Sequence, residues 1–417
     1  MPTTRRELLA IGAGATLGMN MNLPTDGTIS GVTRPPKHRP RIAVLLTQYA
    51  AGSHGVCYCT KLLEGKQFDD HYEAPLCDVA SIHLMEIAKN DVGVDTAKRH
   101  NVKMYPSIAT ALCCGGDTLA VDGVAIIGEH GNYPVNEKEQ MLYPRREMFD
   151  QVVNVFRQSG RVVPIFNDKH LSWNWEWAKY MWRTIQEMKI PYMAGSSLPF
   201  AKYTPFVPLP RGQKLDHVIA IGYGGFESYG FHSIETGQFV VEKREGGEKG
   251  VKWIQFYSGK AVWEAMNAGV FPKDIAEAAF SKTWKPNGKP YDFTHEVFAY
   301  DIEYLDGQRL TVLMPNGYCQ EFGFAYRVQG ESEIVASSYM LDDLPRLKHF
   351  SATTRALEEM YISGKPTAPS SRCVLTTGIL AYGIESKVRG GVKIYPKDLK
   401  IAYQPLATPE HWKEVLS

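Results

Sequence analysis

The chain has 417 residues, of which 44% are hydrophobic and 22% charged, and 46 basic against 45 acidic side chains leave a formal net charge of +1. These values are ordinary for a globular protein, and the length favours two domains. Because the sequence has no basic stripe, nucleic acid is not an expected partner. No apolar run reaches the roughly 18 residues that stable membrane insertion requires.

The first forty residues differ in composition from the rest of the chain. Arg5 and Arg6 precede a small and apolar run at 11–18, and a proline-rich stretch follows at 34–40. Two adjacent arginines before such a run are typical of a twin-arginine export signal. We therefore expect residues 1–40 to be a signal and linker, and the protein to be periplasmic or otherwise exported.

Apolar strands and helices alternate from residue 41 to about residue 205. Predicted strands lie at 41–47, 79–84, 121–127, 162–166 and 192–194, and predicted helices at 55–64, 92–100, 108–113 and 145–158. This alternation indicates an α/β domain, 41–205, built on a Rossmann-like doubly wound parallel sheet.

The pattern changes after the proline-rich segment 205–210. Strand candidates at 298–304 and 309–314 flank Asp306-Gly307, which is a strong hairpin signal. Further strands are predicted at 322–328 and 333–339, and helices at 251–268, 356–364 and 375–389. Residues 206–417 are therefore predicted to form an α+β domain with an antiparallel sheet and closing helices.

Side chains with acid–base or metal-ligating chemistry follow the predicted strands. The residues at the carboxyl ends of these strands, or in the loops directly after them, are His54, Glu129, His130, Asp168, Lys169 and His170. In an open α/β sheet these ends border the ligand crevice. Imidazole and carboxylate groups together suit a divalent metal such as Mn, Zn or Fe. We predict His54, Glu129 and His130 as metal ligands, and Asp168, Lys169 and His170 as catalytic groups.

Two motifs carry a resemblance to a known family. The strand that ends in Asp168-Lys169-His170 resembles the point where a strand of the glucose-fructose oxidoreductase / inositol dehydrogenase (Gfo/Idh/MocA) family ends in Glu-Lys-Pro. Lys169 falls on that family's catalytic lysine, and at a strand end we expect it to be an exposed charge. The segment 223–235 resembles the family's Gly-Gly…Asp-x-Gly-x-His motif, with His232 on the catalytic histidine and Ser228 at the aspartate.

The resemblance implies a two-domain fold, a small-molecule sugar or polyol substrate and a nicotinamide cofactor. Tyr223, Glu227 and Tyr229 lie in the second motif and are predicted to bind the substrate. The order of the domains and the closing helices, which pack back on the first domain in the family, agree with the pattern of the chain. We also expect a homo-oligomer that associates through the sheet of the second domain.

The expected contacts with a nucleotide are altered at three places. Gly52 and Gly55 give only a long glycine turn after the first strand, although such turns bring backbone N–H groups to a pyrophosphate. The second predicted strand runs into 83–85 without the acid that would bind ribose, and 128–132 replaces the family's Thr-Pro loop. We therefore expect NAD(P) to be bound unusually or not at all.

Three functions remain open from the sequence. The first is an exported carbohydrate- or polyol-active enzyme that uses Lys, His and carboxylate acid–base chemistry, with or without a divalent metal, as an epimerase, isomerase or lyase. The second is an NAD(P)-dependent sugar oxidoreductase with a tightly bound nucleotide. The third is a non-catalytic carbohydrate-binding protein. The fold alone does not choose among them.

Overall fold

The computed structural model describes residues 38–69, 71–341 and 347–405. The predicted export signal therefore lies outside the described residues, except for the end of its linker. No helix in the described ranges is long and apolar enough to cross a membrane.

The first domain contains a parallel sheet of six strands. The eight described strands of this domain, six in the sheet and two in a small hairpin, are in chain order β1 (Arg41–Gln48), β2 (Lys66–Gln67), β3 (Tyr72–Glu73), β4 (Asp78–Glu86), β5 (Lys103–Met104), β6 (Gly123–Ile127), β7 (Ile165–Asp168) and β8 (Tyr192–Gly195). The sheet order is β5-β4-β1-β6-β7-β8, every pair is parallel, and β2 with β3 forms the hairpin. Strands buried on both faces explain the continuous apolar runs in the sequence.

Helices cover both faces of this sheet. A π-helical turn, Val56–Thr60, continues into α1 (Lys61–Glu64), and α2 (Gly93–Arg99), α3 (Ile108–Leu112), α4 (Arg145–Ser159) and α5 (Trp175–Glu187) follow. Apolar residues of α3, α4 and α5 pack on one face, and those of the π-helical turn and α1 pack on the other. The predicted doubly wound sheet is confirmed.

The strand that leads to Lys169 lies three residues later than its predicted start at Val162. Pro164 precedes β7 and has no N–H to donate to a neighbouring strand, so regular pairing begins at Ile165. The strand also extends two residues beyond its predicted end at 166, so Asp168 is its last residue and Lys169 follows it directly.

The second domain contains a sheet of seven strands. They are β9 (Tyr203–Thr204), β10 (Leu215–Ile221), β11 (Val251–Ser258), β12 (Val297–Tyr304), β13 (Arg309–Pro315), β14 (Gly323–Val328) and β15 (Ile334–Tyr339). The order is β11-β12-β13-β10-β14-β15-β9. All pairs are antiparallel except β10 with β13, so the predicted antiparallel sheet is present and contains one parallel pair.

One helix prediction in this domain was wrong. Residues 251–268 form β11, a turn at Gly259 and a short helix, not a single helix. The first half pairs along its length with β12, and Gly259 has a left-handed backbone (φ +63°) that ends the strand. Pairing with a neighbouring strand overrides the local pattern here.

The remaining helices are α6 (Ser228–Val241), α7 (Lys260–Asn267), α8 (Lys273–Phe280), α9 (Ser351–Ser363) and α10 (Ser370–Val388). Helix α9 packs on the first sheet, where the Tyr361 hydroxyl donates a hydrogen bond of 2.9 Å to the Val124 carbonyl. Helix α10 contacts β8 and α5 of the first domain and α6 and β11 of the second. The predicted packing of the closing helices on the first domain is confirmed.

Both faces of the second sheet are packed within the chain. Helices α6 and α10 contact one face, and apolar residues of α7 and α8, such as Trp263 and Ile275, pack against Ile219 and Leu313 on the other. Helices α7 and α8 therefore cover apolar residues on the face opposite α6 and α10. The expected self-association through this sheet stays a prediction.

Candidate active site

The candidate site lies outside the carboxyl ends of β1, β6 and β7, where the first turns of α6 face them. We call this space the interdomain crevice. Because these three strands are neighbours in the sheet, their ends bring the 49–55 loop, Glu129 and Asp168-Lys169 together. Helix α6 adds Ser228, Tyr229 and His232 from the second domain.

Lys169 is held by both domains. Its Nζ donates hydrogen bonds to Glu129 Oε1 at 2.9 Å and to the hydroxyl and carbonyl oxygens of Ser228 at 3.0 and 3.4 Å. Its side chain is only 2% exposed, so the expectation of an exposed strand-end charge was wrong. The reason is that α6 packs over the end of β7. Ser228, at the family's aspartate position, thereby contacts the candidate catalytic lysine.

Glu129 lies between two buried cations. One carboxylate oxygen accepts a hydrogen bond from Lys169, and the other accepts one from the Arg145 guanidinium. Burial raises the pKa of Glu129, but Lys169 and then Arg145 outweigh it and hold the pKa well below its usual range. The carboxylate is therefore a fixed negative charge beside Lys169.

The prediction that His54, Glu129 and His130 form a metal site was wrong. Among the described residues no group of three or more His, Cys, Asp or Glu side chains could hold a metal ion. The physical reason is that both oxygens of Glu129 accept hydrogen bonds from Lys169 and Arg145, while His54 Nδ1 lies against Asp168. The donor set in this arrangement does not fit a metal.

His54 and Asp168 form a close pair across the end of the sheet. His54 Nδ1 lies 2.5 Å from Asp168 Oδ2, and an ionised carboxylate only accepts, so Nδ1 donates. The His54 backbone N–H donates to His130 Nδ1 at 3.3 Å. Burial, and next the neighbouring His54, lower the pKa of His130 to about 4, which keeps it neutral. His130 has a left-handed backbone, with φ +70°, an uncommon conformation for a non-glycine residue.

His232 lies on α6 within the crevice. Its ring centroid is 6.4 Å from that of His54 and 6.2 Å from that of Tyr229, and its Nδ1 lies 2.5 Å from Ser196 Oγ. Burial, and next the charge of Lys169, hold the pKa of His232 well below its ordinary value. Because Lys169 contacts Ser228, one turn before His232 on α6, the two residues that resemble the family's catalytic pair border the same crevice.

The other predicted residues divide between the crevice and its surroundings. Tyr229 is 39% exposed and packs against Tyr223, with ring centroids 4.9 Å apart. His170 is buried against Phe231, and its Nε2 lies 3.8 Å from the carboxylate of Glu227. The Glu227 carboxylate accepts a hydrogen bond of 2.9 Å from the Met141 backbone N–H. Tyr229 fits a substrate contact, whereas His170 and Glu227 join the two domains beside Lys169.

The glycine turn retains part of the geometry of a nucleotide loop. Gly52 has φ +82°, and Gly55 precedes the π-helical turn. A Cβ at Gly55 would lie 2.6 Å from the Gln48 carbonyl oxygen and 3.0 Å from Tyr49 Cα, so only glycine lets the helix start this close to β1. That close approach of helix to strand is one role of glycine in dinucleotide-binding turns.

Gly55→Ala tests this requirement for close packing. We expect the variant to lower the free energy of unfolding by about 1–3 kcal/mol, because backbone atoms must move to admit the methyl group. Gly116→Ala is the matched control, since its Cβ would meet only the Cys113 carbonyl oxygen at 3.4 Å. Equal stability of the two variants in urea unfolding would contradict the packing role of Gly55.

An acidic residue stands at the end of the second long strand, contrary to the sequence prediction. Strand β4 extends to Glu86, which pairs with Gln48 at the end of β1 and accepts a hydrogen bond from the Asn132 backbone N–H at 2.9 Å. In dinucleotide-binding folds an acid in this region binds the ribose hydroxyls. The predicted strand ended at residue 84, two residues before Glu86, so the prediction did not include this acid.

Arg145 and Ser196 are two further site residues that sequence reasoning missed. Arg145 follows the 128–144 loop at the start of α4, and Ser196 follows β8. A cation at a helix start and a serine after a strand are common in loops, so neither pattern distinguishes them. Their contacts with Glu129 and His232 depend on the tertiary fold.

Glu129→Gln tests the buried charges around Lys169. We expect a loss of about 3–5 kcal/mol in the free energy of unfolding, because two buried cations lose their common anion. Because the pKa of Glu129 is lowered in the folded state, its stabilising effect is present above about pH 4.5 and is lost as the pH falls through that lowered value.

Asp216→Asn, which affects a partly exposed pair with Arg327, is the control for this variant and is expected to cost no more than about 1 kcal/mol. The free energy of unfolding at neutral and acid pH is the measurement. A Glu129→Gln protein as stable as the control would contradict the role of Glu129 as the shared anion.

Comparison with known proteins finds similarity only at the level of structure. No protein-family model matches the chain, and no curated protein sequence matches it. One similar solved structure is GenD2 from gentamicin A biosynthesis in complex with NAD, with a TM-score of 0.56, 12% identity, and coverage of 88% of this chain and 100% of that chain.

Two further solved structures agree with this likeness. An oxidoreductase from Agrobacterium radiobacter, in complex with NAD+, L-tartaric acid and magnesium, has a TM-score of 0.54 at 13% identity and covers 86% of this chain and 98% of its own. Apo scyllo-inositol dehydrogenase from Lactobacillus casei has a TM-score of 0.53 at 9% identity with the same coverage. The chain therefore has the two-domain fold of the Gfo/Idh/MocA-type dehydrogenases.

Proposed function

We propose that this protein is an NAD(P)-dependent oxidoreductase that acts on a hydroxyl carbon of a sugar or polyol. The observation that carries the proposal is that Lys169, at the carboxyl edge of the first sheet, donates a hydrogen bond to Ser228, one turn before His232 on α6 of the second domain. Interconversion of an alcohol and a carbonyl needs groups that hold and protonate one oxygen, and a lysine and a histidine in one crevice supply them.

Residues at the edge of the sheet have features that suit a nucleotide. Gly55 lacks the Cβ that would separate the helix from β1, and Glu86 ends β4 where a ribose acid is expected. His54 and His130 line the remaining part of the turn, in place of a second glycine contact. These residues fit the group: Glu86 would hold the ribose hydroxyls, and the turn of Gly52 and Gly55 would lie against the pyrophosphate.

In the direction of carbonyl reduction, the substrate carbon gains a hydride and its oxygen gains a proton. A nicotinamide, when bound, supplies the hydride that the carbonyl carbon receives. The oxygen then gains a proton from the Lys169 ammonium group, while His232 donates a hydrogen bond to the same oxygen. Glu129 holds Lys169 in place, and Tyr229 lies beside His232, where a sugar face would pack. Oxidation of the alcohol returns the proton to the lysine.

The His54–Asp168 pair favours a second candidate function. An imidazole oriented by a carboxylate is an arrangement that serves general-base catalysis. With His232 across the crevice, the pair would give two proton-transfer groups on one substrate, as an epimerase, isomerase or lyase without net redox chemistry requires. This candidate needs no nucleotide for turnover, which separates it from the first.

A turnover assay distinguishes the two candidates. Purified protein is incubated with a panel of sugars and polyols, with NAD+ or NADP+, and NAD(P)H formation is followed by absorbance. The oxidoreductase proposal predicts substrate-dependent formation of the reduced nucleotide. Substrate conversion detected by NMR in nucleotide-free protein, with no reduced nucleotide formed when NAD+ or NADP+ is present, would overturn it in favour of the second candidate.

We also propose that the chain is exported through its twin-arginine segment at Arg5 and Arg6. Fractionation of cells that express the full chain is expected to place it outside the cytoplasm. Replacement of both arginines by lysine is expected to retain it inside, and equal distribution of the two proteins would contradict export by this route.

A further inference from the structure

The hydroxyl group of Ser196 contacts the ring nitrogen Nδ1 of His232, the candidate catalytic histidine. Ser196 follows the end of β8, and its Oγ lies 2.5 Å from His232 Nδ1. The same oxygen accepts a hydrogen bond of 3.1 Å from the Leu198 backbone N–H. Ser196 is 3% exposed, so its hydroxyl group is shielded from water. This buried hydroxyl group is therefore the hydrogen-bond partner of the imidazole at Nδ1.

A buried carboxyl group, that of Glu235, fixes the position of Ser196, and burial raises the pKa of this group to about 7. The Ser196 backbone N–H donates to Glu235 Oε2 at 3.2 Å, and the Thr376 hydroxyl donates to Glu235 Oε1 at 2.7 Å. A Cβ at Gly195, which has φ +125°, would lie only 2.7 Å from Glu235 Oε2. Glu235 lies one turn after His232 on α6, so histidine, serine and carboxyl group form one connected unit across the domain interface.

The hydrogen bonds indicate which nitrogen of His232 carries the proton. A buried hydroxyl group is expected to donate as well as accept. Ser196 Oγ already accepts from Leu198, and among the described residues His232 Nδ1 is the one acceptor in hydrogen-bond contact with it. If the serine proton is donated to Nδ1, the neutral imidazole carries its own proton on Nε2.

We propose that Ser196 is a positioning residue that holds His232 as the neutral Nε2–H tautomer, so that His232 donates a hydrogen bond to the substrate oxygen and Lys169 alone transfers the proton. The lowered pKa of His232 agrees with a neutral ring. A neutral imidazole donor of this kind polarises a carbonyl without becoming charged. The inference rests on the proposed function for the role of the substrate oxygen.

Nitrogen NMR of histidine-labelled protein tests the tautomer without substrate or nucleotide. His232→Gln identifies the His232 resonances by their loss. We expect the imidazole nitrogen shifts of the wild-type protein at neutral pH to be those of the Nε2–H form. An Nδ1–H form, or a charged ring, would overturn the proposal, and this result needs no variant of Ser196 to fold.

Variants of Ser196 test its role in setting the tautomer. Ser196→Ala is expected to produce a mixture of tautomers and to lower kcat by roughly ten- to a hundredfold with KM nearly unchanged. Ser196→Thr retains a hydroxyl group and is expected to restore both readouts. Ser81→Ala removes another buried hydroxyl, on β4, which donates to the Ala111 carbonyl of α3, and this variant is expected to change neither readout.

The two readouts separate this inference from the proposed function. An unchanged His232 spectrum in Ser196→Ala would overturn the positioning role, whatever the protein catalyses. The other separable result combines two observations: the His232 spectrum is that of the Nε2–H form and changes in Ser196→Ala, but the protein reduces no nucleotide with any sugar or polyol. That result would support the positioning role of Ser196 and contradict only the oxidoreductase proposal.

Discussion

Lys169→Ala is expected to reduce turnover below detection. The Lys169 ammonium group is the proton donor in the proposed reaction, and it lies at the junction of Glu129 and Ser228. Its loss also removes one of the two cations that neutralise buried Glu129, so we expect the variant to be less stable as well. A loss of activity in this variant alone would therefore have two explanations.

Lys169→Arg separates the two explanations. Arginine keeps a positive charge beside Glu129, but it does not give up a proton at any ordinary pH. We therefore expect Lys169→Arg to retain most of the stability lost in Lys169→Ala, and still to show no turnover. The measurements are kcat and the unfolding midpoint of both variants. A kcat within tenfold of the wild type in a folded Lys169→Arg protein would contradict the assignment of the proton to Lys169.

His232→Ala is the second large effect that we expect. Loss of the histidine removes a positioned donor at the substrate oxygen, and kcat should fall by roughly 10²–10⁴. A rise in KM with unchanged kcat would mean instead that His232 only binds the substrate. The effect must also be separated from the cost of removing a buried imidazole.

His217→Ala is the matched control for this variant. His217 is 8% exposed against 9% for His232, and its Nε2 contacts the Thr311 hydroxyl at 2.9 Å within the second sheet. We expect a comparable loss of stability with kcat preserved. A parallel fall of kcat in both variants would indicate that folding, rather than chemistry at His232, determines the loss.

The parallel sheet could be predicted because its strands are buried on both faces and read as continuous apolar runs. The alternation with helices then placed Lys169 and Asp168 at a carboxyl edge, and the structure brings them together with Glu129 and His54. The second domain was harder to predict, since β11 is recognisable as a strand only through its pairing with β12.

The partners of the site residues could not be predicted from the sequence. Glu129 was predicted to be a metal ligand because His130 follows it and His54 follows a neighbouring strand, but its actual partners are Lys169, directly after β7, and Arg145, at the start of α4. Glu86 was missed by two residues at a strand end, and its omission weakened the case for a nucleotide. Local pattern gives residue type and approximate position, whereas the charge environment arises from tertiary contacts.

Binding of a nicotinamide nucleotide tests the central claim most directly. Calorimetric titration of the purified, nucleotide-free protein with NAD+, NADH, NADP+ and NADPH is expected to give one site per chain, and Glu86→Ala is expected to weaken binding by about tenfold or more. Protein that retains nucleotide through purification would release it on denaturation. No nucleotide on denaturation, together with no heat of binding up to about 1 mM for all four forms, would contradict the oxidoreductase account.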